Sequence, residues 1–191
     1  MMEVDVSGLK QAAELLKDIP GATKKAVSTA LRKSLRNAKK EAVKKVRDKY
    51  TIRKAGYVTR TIKMRVDGMT GILSSRGPVN DLAYFKTKPK TVPKHRPATG
   101  NYLYSQVVKG KGGTIAHAFL AKMKSGHVGV FQRADHGANT SSLPIQKLAG
   151  PSTAQMLGSP EVTKFISEKM IERMEVNLKH EVNAFLMGYR R

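Results

Sequence analysis

Between Thr23 and Tyr50 the apolar residues fall at Val27, Leu31, Leu35, Ala38, Ala42 and Val46. Steps of three and four put them on one side of a helix and predict a long helix with one narrow stripe. Thr23 stands where an N-cap belongs. A second stripe, Val162, Ile166, Met170, Met174, Leu178, Val182 and Phe185, predicts another long helix over 159–187. Ser159 is placed to cap it, Pro160 suits its first position and Glu161 its first turn. Arg190 and Arg191 meet its negative end. Its methionines read as adaptable packing. Leu9, Ala12, Ala13 and Leu16 predict a short helix ended by Pro20-Gly21, and Ile52 to Arg60 a second short one.

Between the long helices the period changes to two. TIKMRV alternates Ile62, Met64 and Val66 with Lys63 and Arg65, and MTGILSS follows the Asp67-Gly68 turn, so 61–75 reads as a hairpin. NYLYSQVVKG sets Tyr102, Tyr104 and Gln106 against Leu103, Ser105 and Val107. KGKGG, residues 109–113, reads as a turn. TIAHAFLAKMKSGHVGVFQR reads as strand from Ile115 to Met123, turn at Ser125-Gly126, strand again. In that last strand His127, Gly129, Phe131 and Arg133 share a face, and Val128, Val130 and Gln132 share the other. A glycine between two valines predicts close approach by another backbone or a ring. Leu143 and Ile145 flank Pro144 as apolar anchors, and Gly150-Pro151 breaks the chain before the last helix. The pattern predicts an α+β fold: a mainly antiparallel sheet flanked by a long basic N-terminal helix and a long C-terminal helix, in one domain over 1–191.

Charge changes this picture most. The 191 residues carry 36 Lys and Arg against 14 Asp and Glu, a net charge of +22. Such an excess points to a polyanionic partner, most often nucleic acid. From Thr23 to Arg65 there are sixteen basic residues and two acids, whereas Glu161 to Met187 is close to neutral. Like charges one turn apart cost a helix a few tenths of a kcal/mol per pair, about 0.2–0.5. Burial of the stripe or an anionic neighbour must offset this. The candidate phosphate-contacting residues on the helix are Arg32, Lys33, Arg36, Lys39, Lys40, Lys44 and Lys45. Residues 86–101, KTKPKTVPKHRPATGN, hold three prolines, five basic residues and no acid, and read as a long extended loop. Lys88, Lys90, Lys94 and Arg96 are its candidates. A merely solvated basic surface stays open for both segments.

Little in the chain suggests catalysis. There is no cysteine, hence no disulfide, zinc-thiolate site or thiol nucleophile. KGKGG lacks the Gly-Lys-Ser/Thr that opens a phosphate-binding helix. His95 has no ligand set around it, and His127 has no Asp, Glu or Cys in the next few residues, so both read as non-metal, non-catalytic. No run of about 18 apolar residues exists to span a membrane. MMEVDVSGLK has no basic-then-apolar leader pattern, and the expectation is a chain made in a cytoplasm.

One block is more specific. Phe119, then Gly126, His127, Gly129, Val130, Phe131 and Arg133, a variable loop, Leu143-Pro144-Ile145 and Gly150-Pro151-Ser152 together resemble the lambdoid-phage minor tail protein Z family. The helix–strand–helix layout is similar over nearly the whole chain, although the basic KTKPKTVPKHRP insertion has no counterpart in that pattern. The resemblance implies a structural virion protein of tail completion, without enzymatic activity or cofactor, made in the host bacterium. It implies a role at the tail–head junction, in a homo-oligomeric and best a hexameric ring near the genomic DNA. Its neighbours there would be the tail terminator, the tail tube end and head-completion proteins, and no membrane. On this view the motif residues Phe119, Gly126, His127, Gly129, Phe131, Arg133, Pro144, Gly150 and Pro151 are framework. The competing class is a free, sequence-nonspecific nucleic-acid-binding protein, which would show aromatics interleaved on a sheet face. Tyr84, Tyr102 and Tyr104 are the candidates for that.

Overall fold

A computed structural model describes residues 8–95, 103–133 and 144–189. The chain divides into two compact units. The first gathers residues 1–45, 59–76 and 157–191, and the second residues 46–58 and 77–156. The fold is α+β, and its antiparallel strands form four small sheets.

The first unit holds α1 (Gly8–Leu15), most of α2 (Ala22–Lys49), the hairpin β1 (Ile62–Asp67) and β2 (Thr70–Ser75), and α5 (Pro160–Leu186). All six residues of the predicted α2 stripe are buried, but the buried face is wider than that stripe. Ala22, Ala26, Ala30 and Ser34, one turn apart, are buried too. Alanine offers no bulk, so this second row lets α5 come close. Ala22, Ala26 and Ala30 share one core with Met174, Leu178, Val182 and Phe185 of α5 and with Ala12 and Leu16. The Ser34 hydroxyl meets the Met174 sulfur at 3.8 Å and receives the Asn177 amide at 2.9 Å. Each large apolar side chain so buried contributes about 1.5–3 kcal/mol, which offsets the self-repulsion of the basic faces.

The helix ends differ from expectation in detail. Thr23 lies inside the first turn of α2. Gly21 takes the cap position, at φ 71°, and its carbonyl accepts the Lys25 N–H at 3.1 Å. Ser159 does cap α5, but through its carbonyl, which accepts the Thr163 N–H at 2.9 Å, and not through its hydroxyl. Met170 of the α5 stripe is only half-buried, and Arg190 and Arg191 lie outside the described residues. The hairpin turns at Asp67-Gly68 as expected, with Gly68 at φ 58°. Ile62 is buried and Val66 packs on the core. Met64, expected inside with them, is 41% exposed.

The second unit carries three further sheets. β4 (Lys86–Lys88), β5 (Leu103–Val108) and β6 (Lys111–Ile115) form one, and β7 (Ala118–Lys122), β8 (Val128–Arg133) and β9 (Ile145–Lys147) another. The two-residue strands β3 (Asn80–Asp81) and β10 (Ala149–Gly150) pair with each other. Two short helices, α3 (Ala55–Thr59) and α4 (Thr153–Leu157), complete the elements. α3 is shorter than the predicted 52–60 helix. Two strand boundaries move as well. The 109–113 turn is only Lys109-Gly110, and Gly112 and Gly113 already belong to β6. The predicted Ile115–Met123 strand is cut by a turn at Ala116-His117, where His117 adopts φ 57°. The segment 86–101 begins as β4, with Thr87 buried; residues 96–101 lie outside the described part.

Candidate nucleic-acid interface

The seven basic candidates on α2 divide into two groups. Arg32, Arg36, Lys40 and Lys44 are exposed and recur at every fourth residue. At 1.5 Å per residue they make a ridge about 18 Å long. Lys33, Lys39 and Lys45 are half-buried and spend their charge inside the unit. Lys33 Nζ lies 2.5 Å from Glu181 Oε1, Lys39 donates to the Ile62 carbonyl at 2.7 Å, and Lys45 is paired with Glu161 at 2.7 Å and sits 5.3 Å over the Phe165 ring. The structure therefore does not bring the seven together as one surface.

Glu181 is the residue that sequence reading missed. Its side chain is fully buried, and His180 Nδ1 stands 3.7 Å from the same oxygen. The signal was available: Met174, Leu178, Glu181 and Phe185 follow one another in steps of four, three and four. A carboxylate on the apolar stripe requires a cation opposite it.

Beside the ridge is a cleft of about 620 Å³. Lys33, Arg36, Lys39 and Lys40 line it with Asn37 and Asn177. Val43, Thr59 and the exposed Met64 also line it, and among the described residues no acid contributes to it.

In the second unit Lys88, Lys90 and Lys94 are exposed, and Arg96 lies outside the described residues. The backbone beneath the first two is anchored. Arg53 donates to Thr87 Oγ1 at 2.6 Å and to the Lys90 carbonyl at 3.1 Å, while Thr87 donates to the Pro89 carbonyl at 3.0 Å. Tyr84, a candidate for base stacking, already has Tyr57 stacked on it at 3.9 Å and 9°. Tyr102 lies outside the described residues, and Tyr104 is half-buried in β5.

One motif residue, His127, reaches a buried carboxylate, Asp81, and Gly129 lies beside it. His127 Nε2 lies 2.7 Å and Lys147 Nζ 3.1 Å from Asp81 Oδ2, and the Ala83 N–H reaches Oδ1 at 3.1 Å. The carboxylate that His127 lacked nearby in sequence is thus supplied by β3. The three motif glycines have three separate causes. Gly126 makes the β7–β8 turn at φ 81°, where side chains are strained. A Cβ on Gly129 would stand 3.0 Å from the Phe131 ring and 3.2 Å from Asp81 Oδ2. A Cβ on Gly150 would stand 2.5 Å from the Phe85 ring. Phe119 and Phe131 are cross-strand partners with centroids 6.3 Å apart, and Arg133 lies 5.4 Å over the Phe119 ring. The expected division of β8 into two faces holds only in part. Gly129, Val130 and Phe131 are all buried, so the strand is covered on both sides at its centre. Pro144 is exposed just before β9, and Pro151 gives its carbonyl to the Asn80 amide at 2.8 Å. Ser152 and Gln155 then exchange bonds of 2.8 and 3.1 Å, a capping box that starts α4. Leu143 lies outside the described residues.

Among the described residues no group of three His, Cys, Asp or Glu is placed to hold a metal ion, and no helix is long and apolar enough to cross a membrane. Compared with known proteins, residues 6–190 match the family described as prophage minor tail protein Z. No curated protein and no solved structure matches the chain.

Proposed function

The chain belongs to the prophage minor tail protein Z family and is a phage tail component; from that premise we propose that it is a non-enzymatic part of the tail–head junction, closing into a ring beside the DNA path. The observation that carries the DNA-facing side of this reading is the ridge of Arg32, Arg36, Lys40 and Lys44 on a chain of net charge +22. In the second unit Lys88 and Lys90, on an anchored backbone, and Lys94 are further exposed cations. Such side chains meet phosphates and carry no base information. A ring of identical subunits uses a heterologous interface that must close, and six copies are what the family resemblance suggests. So basic a ring repels itself, so assembly needs neighbours, salt or DNA.

The test has two arms. Duplex DNA should bind with little sequence preference, and log affinity should fall linearly with log salt, by about 0.9 per phosphate neutralised. Changing Arg32, Arg36, Lys40 and Lys44 to Glu should flatten that slope with the helical circular dichroism intact. An unchanged slope would remove the DNA-facing assignment. Mass measurement on purified tails should find a closed multimer; a monomer there would remove the ring.

A further inference from the structure

The ridge and the cleft beside it share Arg36 and Lys40 but differ in kind. The ridge is cationic and convex. The cleft adds an apolar lining, from Val43, Met64 and the alkyl stems of its lysines. Two of its cations are also fixed. Lys33 is held by Glu181 and Lys39 by the Ile62 carbonyl, so neither has to be ordered when a ligand arrives.

We infer that this cleft docks a short acidic segment of a neighbouring protein, carrying one or two aliphatic side chains as anchors. The charge complementarity rests on the exposed Arg36 and Lys40, with Lys39 beside them; Lys33 is already balanced by Glu181, and among the described residues no acid lines the cleft. Helix α2 already binds the groups a peptide brings, since Lys33 and Lys45 hold carboxylates and Lys39 a backbone carbonyl. Nucleic acid fits less well. A duplex offers phosphates on a convex rod and nothing aliphatic to reach Met64. A single strand stacks its bases on aromatic rings, and among the described residues no aromatic lines the cleft. The docking stands whether or not the ridge meets DNA.

The experiment uses the full chain and three labelled probes in fluorescence anisotropy: a twelve-residue glutamate peptide with two leucines four apart, a glutamate peptide of the same charge without leucine, and a short duplex. The leucine peptide should bind about tenfold tighter than the plain one, a difference of about 1.4 kcal/mol. R36E/K40E should abolish that binding, and M64E should remove the leucine advantage. R32E/K44E, outside the cleft, should leave the peptide within about twofold while lowering duplex affinity, which separates this proposal from the DNA-facing one. Arg36 and Lys40 are exposed, so the first variant tests the proposal even if M64E does not fold. Equal binding of the two peptides, or equal effects of the two double variants on the peptide, would each overturn it. So would self-association that the leucine peptide abolishes, which would give the cleft to a second copy.

Discussion

Among the described residues each unit buries one acid, Glu181 in the first and Asp81 in the second, and they are satisfied in opposite ways. Glu181 sits on a helix whose own N–H groups are committed to the helix, so its partners are side chains, with Lys33 at 2.5 Å the nearest. Asp81 sits at a strand end that opens into a turn. It is met by one backbone N–H and by two side chains from separate strand ends, His127 and Lys147. A carboxylate with several independent donors tolerates the loss of one. Glu181 relies on side chains, of which Lys33 is the nearest, and is the more sensitive to losing it. The first arrangement ties α2 to α5, and the second ties β3 to the ends of β8 and β9.

The sharpest way to break this comparison is Lys33→Met. Removing one partner of a buried pair costs about 3–5 kcal/mol. Because Lys33 is itself 39% exposed, the lower end of that range is expected from urea unfolding. The double variant Lys33→Met with Glu181→Leu should recover most of the loss, and a single variant as stable as the parent would end the contrast. Next comes Gly150→Ala, whose methyl would meet the Phe85 ring. Overpacking of this kind costs about 1–3 kcal/mol, and Phe85→Leu in the same chain should relieve it in thermal melts. His127→Gln should cost only about 1 kcal/mol, since Lys147 and the Ala83 N–H stay with Asp81; assembly should survive, with no response to added zinc. The smallest effect is at Glu172, where the hydrogen bond and charge of Lys169 hold the carboxyl below the ordinary carboxylate range. Stability from a lowered carboxyl is present above its unfolded pKa and lost as pH falls through the folded one. The site is fully exposed, so Glu172→Gln should leave the acid limb of a pH–stability curve unchanged within error.

Periodicity made the two long helices and the 61–75 hairpin legible, because each buries one face and the apolar residues record it. It hid the alanine row of α2, since alanine is equally at home inside and outside a helix. It also hid β3, β9 and β10, of two or three residues each, which are too short to show alternation. The charge excess singled out α2 but not the split between Lys33, Lys39, Lys45 and the outer ridge. That split depends on Glu181, Glu161 and the Ile62 carbonyl, all distant in sequence. Likewise the motif singled out His127 and its glycines, while Asp81, 46 residues from His127, could only be found in three dimensions.

The first unit is built from stretches that are far apart along the chain, and this orders events during synthesis. Lys33 and Glu181 are 148 residues apart, so α2 leaves the ribosome long before α5 exists to cover its alanine face. The second unit is made in between, from Val46 to Met156, and domains generally fold as units during synthesis. The most basic segment of the chain is thus made well before the helix that covers its alanine face.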